Sequence, residues 1–223
     1  MRILDIVLPA ETPAATANGI TSEARQDGRR ASRLRNRDAV VEALFACYLE
    51  GNFRPNAQEI AERSGVSRRS VFRYFDDLED LQRSAIVLHF ARVAHLVALP
   101  GDLDAPLCTR VEQISEHRAR LYHAITPVSR VSRLNAPFVP FVADRLKIGA
   151  SFLSWQVELQ FRNELGSLPS DERAELLGAA DAVCSFEFFE HLTVSRGLTP
   201  VQIKAIVSRT LSALFASAVA GER

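Results

Sequence analysis

The chain has 223 residues, 47% hydrophobic and 24% charged, long enough to bury about 70% of its unfolded surface unaided, and its composition excludes collagen-like, disulfide-scaffold and wholly disordered chains. Formal charge is zero, and Cys47, Cys108 and Cys184 lack any C-x-x-C spacing, so neither a disulfide framework nor a zinc ribbon is offered. A reducing cytoplasm is the expected home, and no apolar run approaches the eighteen or so residues of a membrane span, so no membrane partner is expected.

Residues 1–32, with Pro9, Pro13, Gly19 and Gly28 among alanine, threonine and arginine, show no sustained period of 2 or 3.6 and read as a flexible arm. Asp5 and Glu11 interrupt any secretory apolar region. From Asn36 onward Val40, Val41, Leu44, Phe45 and Tyr48 recur at helical spacing, and Gly51-Asn52 stops that helix. Asn56-Ala57-Gln58-Glu59 is a capping box that opens a short second helix ending at Gly65. Ser67 then caps a third helix running through Phe75, and two short helices joined by a glycine turn make a helix-turn-helix.

Asp76-Asp77-Leu78-Glu79 predicts the start of a long helix reaching Pro100-Gly101. Further helices are expected over 107–125, 128–134, 142–165, 171–194 and 200–219, the last opened by Thr199, Pro200 and Gln202. The expected fold is all-α with about nine helices: a helix-turn-helix domain over 33–81 and a larger helical domain over 82–223.

Zero net charge hides an uneven distribution. Between Ala24 and Phe75 there are eleven arginines against six acids, which points to a polyanion. On the third helix Val71, Phe72 and Phe75 share one face and would anchor it, leaving Arg68, Arg69, Arg73 and Tyr74 outward with Ser67 and Ser70 at the amide-rich end. A helix of this width fits the major groove of double-stranded DNA, arginine can read guanine O6 and N7, and hydroxyls with free amides suit phosphate oxygens. Arg33 and Arg35, with the other arginines of the arm, would follow the backbone or enter a narrow minor groove. Three arginines on a short helix can equally be a plain solvated face, and the glycine turn weighs against that reading.

From about Arg35 to Leu81 the chain resembles the DNA-binding domain of the TetR/AcrR family of bacterial transcriptional regulators. Phe45, Gly51, Ile60-Ala61, Gly65-Val66-Ser67, Tyr74-Phe75, Glu79 and Leu81 stand in that family's order and spacing. The chain departs from the family pattern at Arg69, usually small, at Phe72, usually tyrosine, and at Leu78, usually lysine. The resemblance implies a homodimer on a palindromic operator, acting as a repressor and released by a small-molecule inducer. It also implies that the last two long helices pair with a second subunit, with Val183, Cys184, Phe188, Val207, Leu211 and Leu214 as candidates at that face. The same resemblance implies an interior site, for which Tyr122, His123, Phe141, Phe152, Trp155 and Gln156 offer an apolar wall with a few polar groups. No metal motif, phosphate loop, nucleophile elbow or dinucleotide fingerprint is present, so no cofactor, metal or reaction is expected. The alternative from another class is an all-helical ligand-binding or interaction protein whose helix-turn-helix is vestigial, motivated by Phe72 and Leu78.

Overall fold

The computed structural model describes the backbone of residues 20–220 and the side chains of residues 30–216. The expected arm up to residue 19, and the side chains of Arg25 and Arg29, lie outside the described residues. The described residues form ten helices and no strand, and no helix among them is long and apolar enough to cross a membrane. The chain divides into two compact units, the first running to Arg92 together with Pro127–Phe138, the second comprising Val93–Thr126 and the chain from Val139 on. The sequence places the change of domain at residue 82. Instead the first unit runs on to Arg92 and takes in part of a later helix.

In the first unit, α1 (Ile20–Leu49) begins well before the expected start at Asn36. Its first turns are rich in glutamate, arginine, glutamine and alanine, all strong helix formers without an apolar stripe, so residues 20–32 look like a flexible arm to a test based on periodicity. The stripe that follows builds the core: Val40, Val41, Leu44 and Tyr48 pack with Ile60, Ala61, Val71, Phe75, Leu81 and Ala85. Then come α2 (Ala57–Ser64), α3 (Arg68–Tyr74) and α4 (Leu78–Val97). The start of α4 is set one residue later than the sequence suggests, since Asp77 accepts the amide of Asp80 at 2.7 Å and Asp80 reaches back to the amide of Asp76 at 3.3 Å.

The helices expected over 107–125 and 128–134 are one, α5 (Leu107–Asn135), which continues through Pro127. A proline removes one backbone donor without stopping a helix whose two ends are held by packing. Here Val111, Ile114, Leu121 and Tyr122 are fixed in the core of the second unit and Val131 in that of the first. The stretch expected as one helix over 142–165 divides at Phe161 into α6 (Pro140–Gln160) and α7 (Arg162–Gly166). The stretch over 171–194 divides into α8 (Ser170–Val183) and α9 (Phe186–Arg196), because Ser185 adopts an extended conformation and accepts the amide of Phe188 at 3.1 Å. A serine in that geometry offers the backbone a better partner than helix continuation. Gly197, at φ 63°, closes α9, and α10 (Pro200–Ala220) starts where expected, with Gln202 Oε1 accepting the Thr199 amide at 2.9 Å.

The second unit's core draws on α5 to α10. Phe161 stacks on Phe215 with ring centres 4.2 Å apart, and Tyr122 meets Phe186 edge to face at 5.6 Å. Cys184, Val207 and Leu211 belong to this core, with Leu211 fully buried. Three side chains expected at a dimer face are thus already used inside the subunit. Their wide apolar stripe is accounted for by packing against the subunit's own helices. Of the other three, Val183 and Phe188 are half-buried against the same core and Leu214 is half-buried.

Candidate nucleic-acid interface

The helix-turn-helix is assembled by local chemistry. Asn56 accepts the amides of Gln58 at 2.9 Å and Glu59 at 3.1 Å, while Glu59 accepts the Asn56 amide at 2.7 Å, completing the capping box of α2. Gly65 ends α2 at φ 71°, a left-handed conformation that a Cβ would strain. Two residues later Ser67 Oγ accepts the Ser70 amide at 3.1 Å and lies 3.0 Å from Ser70 Oγ, so both hydroxyls sit at the open end of α3. Val71 and Phe75, 1% and 2% exposed, anchor α3 in the core.

On the solvent side Arg68, Arg69 and Arg73 are exposed. Neither Arg68 nor Arg69 is paired with an acid among the described residues. Phe72 and Tyr74 exchange the places expected for them. Phe72 is 44% exposed beneath Arg68, whose guanidinium stands 5.9 Å from the ring centre. Tyr74 is half-buried, accepting from Asn36 Nδ2 at 3.3 Å and from Arg73 at 2.9 Å. Those two hydrogen bonds, the Asn36 one first, hold its phenol below the ordinary tyrosine range. The reason for the exchange is angular: Phe72 lies 100° around the helix from Val71, whereas Tyr74 lies one turn on from it.

Asn36 therefore ties α3 to α1, a role with no local sequence signal because the partners are far apart in the chain. Arg33, one turn before Asn36, is exposed on the same side of α1, and its charge reaches Tyr74. Arg35 is exposed as well. Arg37 is a structural arginine: it donates to Ser84 Oγ at 2.9 Å and lies 4.7 Å over the Phe75 ring. The result is an exposed group of Arg33, Arg68, Arg69 and Arg73, with the Ser67 and Ser70 hydroxyls at one end of α3. Such a group can donate to phosphate oxygens and to base edges.

The six residues expected to form a ligand wall differ in how deeply they lie. Tyr122 is buried and donates to the Cys184 carbonyl at 2.6 Å. Gln156 is buried and donates to the Val97 carbonyl at 2.8 Å. His123 is exposed, Phe141 and Phe152 are half-buried, and Trp155 is 51% exposed with its ring 5.5 Å from Phe152. An aromatic repeat on a helix marks one of its faces without saying which side of the protein that face meets.

Sequence reasoning also missed two buried arginines in the second unit. Arg110, 3% exposed, forms a two-pronged ion pair with Glu164 and donates to the Gln160 carbonyl at 2.5 Å. Arg118, 2% exposed, donates to Gln156 Oε1 at 2.8 Å, to the Leu153 carbonyl at 2.9 Å and to His117 Nδ1 at 2.9 Å. Burial first, and the Arg118 charge second, push the His117 imidazole down to about 4; the carbonyls of Leu96 and Val97 pull the other way without making a well-formed bond to Nε2. His117 is therefore neutral and free to accept. No protein-family model, curated protein or solved structure matches the chain.

Proposed function

We propose that the chain is a sequence-specific DNA-binding transcriptional regulator of the kind its first unit resembles, the TetR/AcrR family, acting in the cytoplasm as a dimeric repressor released by a small molecule. The observation that carries the reading is the exposed trio Arg68, Arg69 and Arg73 on a serine-capped helix set by a glycine turn, beside exposed Arg33 on α1. One helix of seven residues reads only a few base pairs, and a second copy related by a twofold axis doubles the site into a palindrome. With Cys184, Val207 and Leu211 committed to the core, a second copy would meet the outer sides of α9 and α10, where Val194 and Val201 are 64% and 77% exposed. Residues of α4 belong to both units, which makes that helix the natural carrier of a ligand-dependent shift.

The test is selection of bound duplexes from a random library by the full-length protein at about 0.15 M salt, where binding through phosphates alone is weakened. An enriched inverted repeat supports a dimeric reader. Retention at low salt with no enriched sequence overturns it and favours an all-helical binding protein with an idle helix-turn-helix.

A further inference from the structure

Arg118 is a buried cation without a counter-charge. No acid lies within ion-pair distance of its guanidinium among the described residues, its three acceptors are neutral, and its Nε has no hydrogen-bond partner. A guanidinium stays charged even in a protein interior, and a charge held there unbalanced is costly unless something compensates it. Arg110, equally buried a short way along α5, shows the usual solution in its pairing with Glu164. Lys204, only half-buried, is likewise paired with acids, Glu112 at 2.5 Å and Glu116 at 2.8 Å.

Arg118 also lines a small, partly enclosed pocket. Its other walls are Ser115, Ala119, Tyr122, Val183, Ser185, Phe189, Ile203, Lys204 and Val207, so apart from the arginine and the paired lysine the lining is largely apolar. Ser115 is satisfied by the Val111 carbonyl at 2.7 Å, and Tyr122 by the Cys184 carbonyl. On this wall the guanidinium Nε–H is an unspent donor with no acid beside it among the described residues, whereas the Lys204 ammonium is already paired with Glu112 and Glu116.

We propose that Arg118 is the anion-binding group of a buried site for a small organic carboxylate, which takes the free Nε–H and lays an apolar tail against Val183, Phe189, Ile203 and Val207. This rests on the reading that the second unit takes a small ligand, and it names that ligand's class. A planar carboxylate matches the planar guanidinium fork, whereas phosphate or sulfate would bring further oxygens into a lining that is largely apolar and whose one other cation, Lys204, is already held by two acids. The pocket is closed down to about 10 Å3, room for one water-sized sphere. The ligand therefore enters by displacing side chains of α8 to α10, and a site that must open to be filled is one whose filling changes the protein.

The experiment is calorimetric titration of the full-length protein with butyrate and with benzoate at constant ionic strength, against butyramide, benzamide, phosphate and sulfate. The expected result is saturable binding of a carboxylate, none of the matching amide, and affinity weakened about tenfold or more in Arg118→Met, with Arg118→Lys intermediate. Absence of carboxylate binding, equal binding of the amide, tighter binding of phosphate or sulfate, or undiminished binding by Arg118→Met each overturns the proposal. If Arg118→Met does not fold, the carboxylate-against-amide comparison on the wild type decides alone. Carboxylate binding by a protein that enriches no duplex would break the regulator reading and leave this site standing; an enriched duplex without carboxylate binding would do the reverse.

Discussion

Arginine is put to opposite uses in the two units. In the first, Arg68, Arg69 and Arg73 stand in solvent around a helix anchored by Val71 and Phe75. In the second, Arg110 and Arg118 are 3% and 2% exposed inside the core. An exposed guanidinium keeps its hydration and contributes almost nothing to stability, so a cluster of them is best explained by what they meet outside the chain. A buried one has lost that hydration and must be compensated from within, as Arg110 is by Glu164, or by something bound. Exposure thus separates arginines free to meet a partner from those that serve the interior, although the sequence writes them identically.

The sharpest way to break this contrast is to remove the compensation. Glu164→Ala leaves Arg110 charged and buried, and should cost about 3–5 kcal/mol in urea unfolding; a loss below about 1 kcal/mol would mean that Arg110 reaches solvent and that the contrast is false. On the other side, Arg68→Ala with Arg69→Ala should leave urea unfolding within about 0.5 kcal/mol of wild type. The same pair should weaken binding to a selected duplex by about 2–4 kcal/mol, read by fluorescence anisotropy, with discrimination between bases reduced along with affinity. Unchanged duplex binding would make the exposed arginines a mere solvated surface.

One histidine in each unit extends the comparison to pH. Burial first and a neighbouring arginine second, Arg92 for His89 and Arg118 for His117, push both imidazoles down to about 4. An unfolded chain takes up those protons near 6.5, whereas the folded one does not. Stability contributed by the neutral rings is therefore fully present above pH 6.5 and is lost as pH falls towards 4, with a limiting slope of about 1.4 kcal/mol per pH unit for each ring. After allowance for partial solvent access, about 1–2 kcal/mol in all for each ring is expected. Replacing either histidine by glutamine should flatten that part of the stability profile, and an unchanged acid limb would show the ring to be open to protons in the native state.

What the sequence made legible was what neighbours along the chain decide. The capping box at Asn56, the turn at Gly65, the cap at Ser67 and the Thr199-Pro200 start of α10 each depend on residues within three positions of one another, and each stands where the pattern put it. What escaped was set by partners far away. The fused α5 is held from two cores, Tyr74 is turned inward by Asn36, and Cys184, Val207 and Leu211 are claimed by the second unit's own core. A lone apolar stripe carries no record of which surface it meets. The early start of α1 escaped for the opposite reason: helix-forming residues without a stripe resemble a flexible arm.

The smallest expected effect lies in the two serine caps, one in each unit, whose acceptor geometry is the same at 3.1 Å. Ser67→Ala and Ser185→Ala should each cost about 1 kcal/mol, but for different reasons. Ser67 follows a left-handed glycine that has already ended α2, so alanine there leaves one amide of α3 without its acceptor and changes nothing else in the chain path. Ser185 is what separates α8 from α9, and alanine favours helix at that point. If the break is held by the cap alone, Ser185→Ala should raise helix content in circular dichroism as the two helices run together. If Phe186 and Phe189, both buried, fix the break by packing, helix content stays level and the full loss appears in stability. The 5.6 Å contact between Tyr122 and Phe186 favours the second outcome, because a continuous helix would rotate Phe186 away from the ring that it meets.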